Sequence, residues 1–174
     1  MGELARTLVS LSGPDSVHGI IPEALVRYER DPNYTSKSLD EEKPLAIPEA
    51  KLFGKTTVVK DMHTRKQMMV REVVSGGPGS GFIALSGGFG TIEELFETAT
   101  WNQLGIHNRG ICVLNINGLY DGVFQWIKRT VEEGFIREGN SEILVEATNA
   151  EDAVKALRDY KVSKSVLNLA WGSV

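Results

Sequence analysis

The chain has 174 residues and a mass of 19.1 kDa, a length that fits one domain. Its net charge of −4 excludes broad electrostatic attraction to nucleic acid or anionic lipid, so an anionic ligand needs a local cationic site. A single cysteine, Cys112, excludes an internal disulfide and a cysteine-rich zinc site, and no apolar run approaches the roughly 20 residues of a membrane span. We therefore expect a cytoplasmic protein without a nucleic-acid or membrane partner.

Helices and strands alternate along the chain. Apolar spacing predicts helices over 3–11, 62–74, 91–104, 123–133 and 150–159. Short apolar or β-branched runs predict strands over 17–21, 56–59, 82–85, 111–116 and 143–146. This alternation predicts an α/β fold of the Rossmann-like, doubly wound type, in which a mostly parallel sheet carries helices on both faces.

Two segments depart from this pattern. Residues 30–54 are rich in proline and charge, and a structureless stretch of that length is uncommon in a compact domain, so we expect a surface insertion within one domain over 1–174. The chain also opens directly with a helix, whereas a first strand and its glycine turn normally precede such a helix. We therefore expect an N-terminally truncated version of the fold.

The segment 86–94, Ser-Gly-Gly-Phe-Gly-Thr-Ile-Glu-Glu, lies between a predicted buried strand and a predicted amphipathic helix. Glycines let the backbone approach a ligand closely, and a helix N-terminus offers unpaired N–H groups to a phosphate. A second interpretation needs no ligand: Thr91 as N-cap and Glu94 three residues later fit a capping box. The spacing alone leaves both interpretations open.

Two cations interrupt the apolar stripe of the helix predicted over 62–74. Met62, Met69 and Val73 define that stripe, Lys66 falls within it and Arg65 lies on its edge. Burying an unpaired cation is costly, so each needs a carboxylate, a bound anion or solvent. Long side chains can also cover apolar surface while their charged ends reach water. In an acidic protein this pair is the best candidate for an anion site.

The three histidines have no ligand partners at helical spacing, so we predict no metal site. His18, His63 and His107 are each interpreted as structural residues.

Three segments together resemble the Lonely Guy family, whose members are cytokinin riboside 5′-monophosphate phosphoribohydrolases often labelled lysine decarboxylase-like. They are Asp-Met-His-Thr-Arg-Lys at 61–66, Gly-Gly-Phe-Gly-Thr-Ile-Glu-Glu at 87–94 and Thr-Trp-Asn-Gln-Leu-Gly-Ile-His at 100–107. The family pattern is a Pro-Gly-Gly-x-Gly-Thr-x-x-Glu loop preceded by a Met-His-x-Arg-Lys helix. Ser86 stands where the family has proline, and the family's first strand and first glycine loop have no counterpart here.

The resemblance implies roles for individual residues. Arg65 and Glu94 would be the catalytic pair. The implied substrate contacts are Glu29, Lys66, Gly87, Gly88, Gly90, Thr91, Glu93 and Thr100. It also implies a homodimer whose partner contributes to the base pocket, and no cofactor.

The resulting hypothesis is hydrolysis of the N-glycosidic bond of a cytokinin riboside 5′-monophosphate, with AMP as a further substrate, giving free base and ribose 5-phosphate. Two alternatives stay open. One is a nucleotide-binding or interaction protein of the same fold that turns over weakly or not at all. The other is a broader purine 5′-nucleotide nucleosidase. Amino-acid decarboxylation is disfavoured, because nothing resembles a lysine anchored to pyridoxal phosphate.

Overall fold

A computed structural model describes residues 1–30, 47–167 and 169–171, with the backbone alone at 27–30. The chain forms two compact units, Met1–Val70 and Arg71–Val174. Most of the predicted insertion over 30–54 lies outside the described residues, and its described end contains a short helix, Ala50–Phe53. The prediction of a single domain over 1–174 stays a prediction.

The first unit contains a two-stranded parallel sheet. Its helices are α1 (Gly2–Ser12), α2 (Glu23–Arg30), α3 (Ala50–Phe53) and the first part of α4 (Met62–Ser75). Its strands, β1 (His18–Pro22) and β2 (Lys55–Val59), pair in register from His18 opposite Lys55 to Pro22 opposite Val59. The ends of both strands lie within one residue of the predicted ranges, whereas α2 was not predicted. Pro22 is the last residue of β1, and α2 begins directly after it at Glu23.

Gly54 joins α3 to β2 in a conformation that requires glycine. Its φ is +81°, and an added Cβ would lie 2.5 Å from both Cβ and the carbonyl oxygen of Val17. The backbone N–H of Lys55 donates to that carbonyl at 3.0 Å. The start of β2 is therefore fixed beside the start of β1 by close backbone contact, which a side chain at position 54 would prevent.

Helix α1 has the predicted amphipathic pattern, but its leucine face is exposed. Leu4, Leu8 and Leu11 are 53%, 39% and 77% exposed, and Val9 is the one buried residue of this helix. The apolar spacing therefore predicted the helix correctly without predicting which side is covered.

The second unit is a three-stranded parallel sheet in the order β3-β4-β5 with helices between and after its strands. Its elements are β3 (Gly81–Ala84), α5 (Phe89–Gln103), β4 (Gly110–Leu114), α6 (Asp121–Glu132), β5 (Leu144–Ala147) and α7 (Ala150–Asp159). All of them were predicted. The prediction of β4 extended two residues too far, since the strand ends at Leu114.

Helices cover both faces of this sheet. The side chains of Ile111 and Val113 in β4 join a cluster with α5 and α6, while Cys112 between them packs with Ala153 of α7. Alternate residues of a strand point to opposite faces, so β4 is buried on both sides. Burial also raises the pKa of the Cys112 thiol. The predicted α/β, Rossmann-like doubly wound arrangement is confirmed in this unit.

The C-terminal end of α4 is held by Arg109. Its guanidinium donates to the carbonyls of Val74 at 2.6 Å, Gly76 at 2.7 Å and Gly77 at 3.2 Å. A cation at this end of a helix satisfies carbonyls that lack intrahelical partners and complements the negative end of the dipole.

Among the described residues, no helix is long and apolar enough to span a membrane.

Candidate functional site

Asp61 determines where α4 begins. Its carboxylate accepts from the backbone N–H of Thr64 at 2.7 Å and from the Thr64 hydroxyl at 3.1 Å. The hydrogen bond from the Thr64 N–H lowers the pKa of Asp61. A capping carboxylate of this kind satisfies an orphan donor of the first turn. It thereby fixes the register that places Arg65 and Lys66 at the end of that turn.

Arg65 is half-buried and bonded to β1. Its Nε donates to the carbonyl oxygen of Ile20 at 3.1 Å, in the middle of that strand. Lys66 is also half-buried and lies one turn before Val70, the one buried residue of α4. Met62, predicted to belong to the apolar stripe, is 41% exposed. Both cations are thus positioned by the helix cap and, for Arg65, by the strand beside it.

Helix α5 begins two residues earlier than predicted, and the capping-box interpretation is wrong. The N-cap is Gly88, with no side-chain cap hydrogen bond, and Phe89 is the first helical residue. Thr91 and Glu94 therefore lie at the third and sixth positions of the helix and cannot be N-cap and N3. The helix instead opens from the glycine turn itself. This arrangement brings its first N–H groups, which lack intrahelical acceptors, to the carboxyl end of β3.

Thr91 folds back over Gly87. A Cβ added at Gly87 would lie 2.1 Å from Oγ1 and 2.9 Å from Cβ of Thr91. The threonine side chain thus occupies the space that any other residue at position 87 would need. Gly87 and Thr91 together define the shape of the turn that joins β3 to α5.

On the phosphate-binding interpretation of the glycine turn, replacing Gly87 by alanine is expected to weaken the binding of AMP about tenfold or more, because Thr91 must move and the turn shifts with it. Calorimetric titration with AMP measures the change, and a thermal melt checks that the variant is folded. Gly77→Ala is the matched control, since a Cβ there meets no described atom within 4 Å beyond its chain neighbours. Equal affinity in the Gly87 and Gly77 variants would show that the turn does not hold the ligand.

The other predicted site residues are distributed as follows. Glu93 is exposed and Glu94 is half-buried, both in the second turn of α5. The Thr100 hydroxyl donates to the carbonyl of Phe96 in the same helix at 2.8 Å. The backbone of Glu29 lies in α2, and its side chain is outside the described residues.

The predicted cations and acids belong to different units. Arg65 and Lys66 lie in the first unit, whereas the predicted residues from Gly87 to Thr100 lie in the second. The structure describes the position of each group only within its own unit. That the two groups bind the same sugar phosphate stays a prediction.

Polar residues after β4 form a network that the sequence analysis missed. Asn115 is 3% exposed, and its side-chain Nδ2 donates to Asp121 at 2.7 Å and to Glu146 at 2.6 Å. Its Oδ1 accepts from the backbone N–H of Tyr120 at 2.7 Å, and the Tyr120 hydroxyl donates to the carbonyl of Leu85 at 2.7 Å. The network therefore joins the carboxyl ends of all three strands of the second unit. A buried asparagine directly after an apolar strand is the signal that could have indicated it.

His107 has the structural role that was predicted. It is buried, its Nε2 donates to the carbonyl of Thr98 at 2.9 Å, and its Nδ1 accepts from the N–H of Arg109 at 3.1 Å. These two bonds require the neutral ring with the proton on Nε2.

His18 forms a hydrogen bond with the Thr57 hydroxyl across the first sheet at 2.8 Å. Within the described part of the chain, no three His, Cys, Asp or Glu side chains are grouped as metal ligands.

Acidification is expected to destabilise the second unit through His107. Burial lowers the pKa of this histidine below its ordinary 6.5, so the unfolded chain binds the proton at a higher pH than the folded chain does. The contribution of the neutral His107 to the free energy of unfolding is therefore fully present above pH 6.5. It is lost as the pH drops below 6.5, by at most about 1.4 kcal/mol per pH unit for one proton. Urea unfolding between pH 7.5 and 5.5 measures this slope. His107→Gln should flatten it, and an unchanged slope would assign it to other groups.

Comparison with known proteins identifies the family. Residues 1–157 match the family described as "Possible lysine decarboxylase". The chain belongs to this family, that of the Lonely Guy proteins. The resemblance predicted from the three motifs is thereby confirmed.

Relatives of the chain carry cytokinin names. A bifunctional cytokinin biosynthesis protein of Fusarium pseudograminearum is 52% identical over 157 residues, which are 90% of this chain and 31% of that protein. A cytokinin riboside 5′-monophosphate phosphoribohydrolase of Arabidopsis thaliana is 43% identical over 107 residues, 62% of this chain and 47% of that protein. A probable phosphoribohydrolase of the same name from Oryza sativa subsp. japonica is 36% identical over 160 residues, 92% of this chain and 60% of that protein. The chain thus spans less than two thirds of each of these relatives.

Proposed function

We propose that this Lonely Guy family member hydrolyses the N-glycosidic bond of cytokinin riboside 5′-monophosphates, giving the free base and ribose 5-phosphate. The observation that carries the proposal is the glycine turn at 87–88, which opens directly into α5 without a side-chain cap. A helix start of this kind, at the carboxyl end of a buried parallel strand, is suited to a phosphate. The names of the Arabidopsis and Oryza relatives support cytokinin riboside 5′-monophosphates as the class of nucleotide.

The phosphate is proposed to bind at the turn and first residues of α5. Gly87, Gly88, Gly90 and Thr91 would surround it, with backbone N–H groups as donors and the positive end of the helix dipole favouring its charge. Apart from the adjoining residues and the backbone of the helix itself, no described atom lies within 4 Å of the place that a Cβ would occupy at Gly88 or Gly90, so the backbone on that side is open to a ligand. Because the chain has a net charge of −4, an anionic nucleotide needs a local binding site of this kind.

Glu94 and Arg65 are proposed to act on the glycosidic bond. As the bond between the anomeric carbon and the purine nitrogen breaks, positive charge develops on the ribose, and a carboxylate stabilises it. Glu94 would supply that carboxylate, and Arg65 would orient the nucleotide and help the purine leave with the bonding electron pair. Water adds to the anomeric carbon and the purine takes up a proton, so the reaction needs no cofactor.

Other residues are proposed to hold the nucleotide. Glu93 would hold the ribose hydroxyls, and Lys66 would contact the nucleotide as a second cation. Glu29 and Thr100 complete the proposed contacts. We further propose that AMP is also hydrolysed, that the protein acts in the cytoplasm as a homodimer, and that the partner contributes to the base pocket.

The proposed function is tested by incubating the purified chain with isopentenyladenosine monophosphate and with AMP. Chromatography measures the free base, and an assay for ribose 5-phosphate measures the second product. Equal amounts of the two products support hydrolysis, whereas intact nucleotide after prolonged incubation contradicts it. Hydrolysis of both nucleotides at similar rates would indicate the broader purine 5′-nucleotide nucleosidase instead.

The second candidate is a nucleotide-binding protein of the same family without turnover. This candidate needs only the glycine turn at 87–88 and the open start of α5, which can hold a phosphate without any group acting on the glycosidic bond. Binding of AMP by calorimetry, without release of adenine, would support this candidate.

A further inference from the structure

Tyr120 lies between β4 and α6 and reaches the glycine turn of the neighbouring strand. It is 3% exposed, and its ring belongs to the apolar cluster that contains Ile111 and Val113. Its hydroxyl donates to the carbonyl oxygen of Leu85 at 2.7 Å and lies 3.4 Å from the carbonyl oxygen of Gly87. One side chain thus contacts the backbone on both sides of Ser86.

These two contacts fix the direction of the N–H groups in the turn. In a trans peptide the C=O and the N–H of the same unit point in opposite directions. Because the carbonyls of Leu85 and Gly87 are directed to the Tyr120 hydroxyl, the N–H groups of Ser86 and Gly88 are directed away from it. Those are the donors that an anion at the start of α5 would need.

We propose that Tyr120 is a positioning residue for the phosphate of the nucleotide. Its hydroxyl holds the turn so that the N–H groups of Ser86 and Gly88 are oriented toward the phosphate before the ligand arrives. Preorganised donors bind an anion more tightly than donors that must first be ordered. This inference rests on the proposed function, since it takes the ligand to be a nucleoside 5′-monophosphate.

Tyr120 is itself held from the opposite side. Asn115 accepts from its backbone N–H at 2.7 Å and donates to Asp121 at 2.7 Å and to Glu146 at 2.6 Å. The tyrosine is therefore fixed by its ring in the core and by its backbone at the end of β4. A side chain restrained in this way holds the turn after β3 in a fixed position relative to the ends of β4 and β5.

A purely structural role predicts a different outcome. Any buried phenol needs a hydrogen-bond partner, and the carbonyl of Leu85 would satisfy it without any benefit to a ligand. Tyr160 provides the matched comparison. Its hydroxyl donates to Oδ1 of Asn102 at 3.3 Å, and its ring lies beside Gly110, at the opposite end of β4 from the glycine turn.

The test compares Tyr120→Phe with Tyr160→Phe in the full chain. With isopentenyladenosine monophosphate, Tyr120→Phe is expected to raise KM about 3- to 10-fold with little change in kcat, which corresponds to the loss of one hydrogen bond. Hydrogen exchange of the backbone over 85–90 should become faster in the same variant. Tyr160→Phe should change neither quantity, and circular dichroism checks that both variants are folded.

The two readouts separate this inference from the proposed function. A Tyr120→Phe variant with the KM and the exchange rates of Tyr160→Phe would overturn the positioning role, whatever the activity of the wild-type chain. A wild-type chain that releases no base contradicts the proposed function instead. The exchange of the turn and the calorimetric affinity for AMP then decide the role of Tyr120: faster exchange with weaker binding supports it, and unchanged values overturn it.

Discussion

Replacing Glu94 by glutamine is expected to lower kcat by about 10²–10³-fold, while the affinity for nucleotide changes little. The substitution keeps the size of the side chain and removes the negative charge that would stabilise the ribose cation. A loss confined to kcat indicates an interaction made in the transition state. Glu94 is half-buried in the second turn of α5, so the amide fits the same space.

The control for this variant is Glu132→Gln. Glu132 is an exposed glutamate at the end of α6, and its replacement removes the same charge from the same unit. Initial rates of base release at saturating nucleotide measure kcat for each variant. Full activity of Glu94→Gln would remove this residue from the mechanism.

Arg65→Ala is expected to lower kcat/KM by about 10²–10³-fold, because the guanidinium both orients the nucleotide and assists departure of the purine. Arg65→Lys should recover only part of the loss, since an ammonium group cannot reproduce the planar, forked donors of arginine. Rates at subsaturating nucleotide measure kcat/KM directly.

The stability of the Arg65 variants must be measured alongside their activity. The alanine variant also loses the hydrogen bond from Nε to the carbonyl of Ile20, a change of about 1 kcal/mol in the free energy of unfolding. Arg71→Ala, an exposed arginine on the same helix, is the control for loss of charge. An Arg65→Ala variant that is less stable yet fully active would assign the residue to the fold alone.

The elements of the second unit could be predicted because their signals are local. Helix α7 was predicted to the residue, and its start has a local cause: the side chain of Asn149 accepts from the N–H of Asp152 at 2.9 Å. Strand β4 is apolar throughout, as a strand covered on both faces must be. Helix α2, in contrast, was missed, since Pro22 ends a strand and precedes a helix at the same point.

The site could be predicted in part for the same reason. The glycine turn and the two cations of α4 are recognisable from residues adjacent in sequence. The start of α5 was placed wrongly because Thr91 and Glu94 have capping-box spacing, whereas glycines at 87 and 88 let the helix begin earlier. The contact of Tyr120 with the carbonyl of Leu85 joins residues 35 apart. No local pattern encodes a bond from a side chain to a distant backbone oxygen.

The burial of Cys112 gives this protein a practical advantage for spectroscopy. The chain has one cysteine, its side chain is 0% exposed, and its raised pKa keeps the thiol protonated and unreactive. Cysteines introduced at exposed positions, such as Thr7 in the first unit and Lys128 in the second, can therefore be labelled with maleimide dyes without background from the native thiol. Energy transfer between the two dyes would then measure the distance between positions 7 and 128 with and without nucleotide.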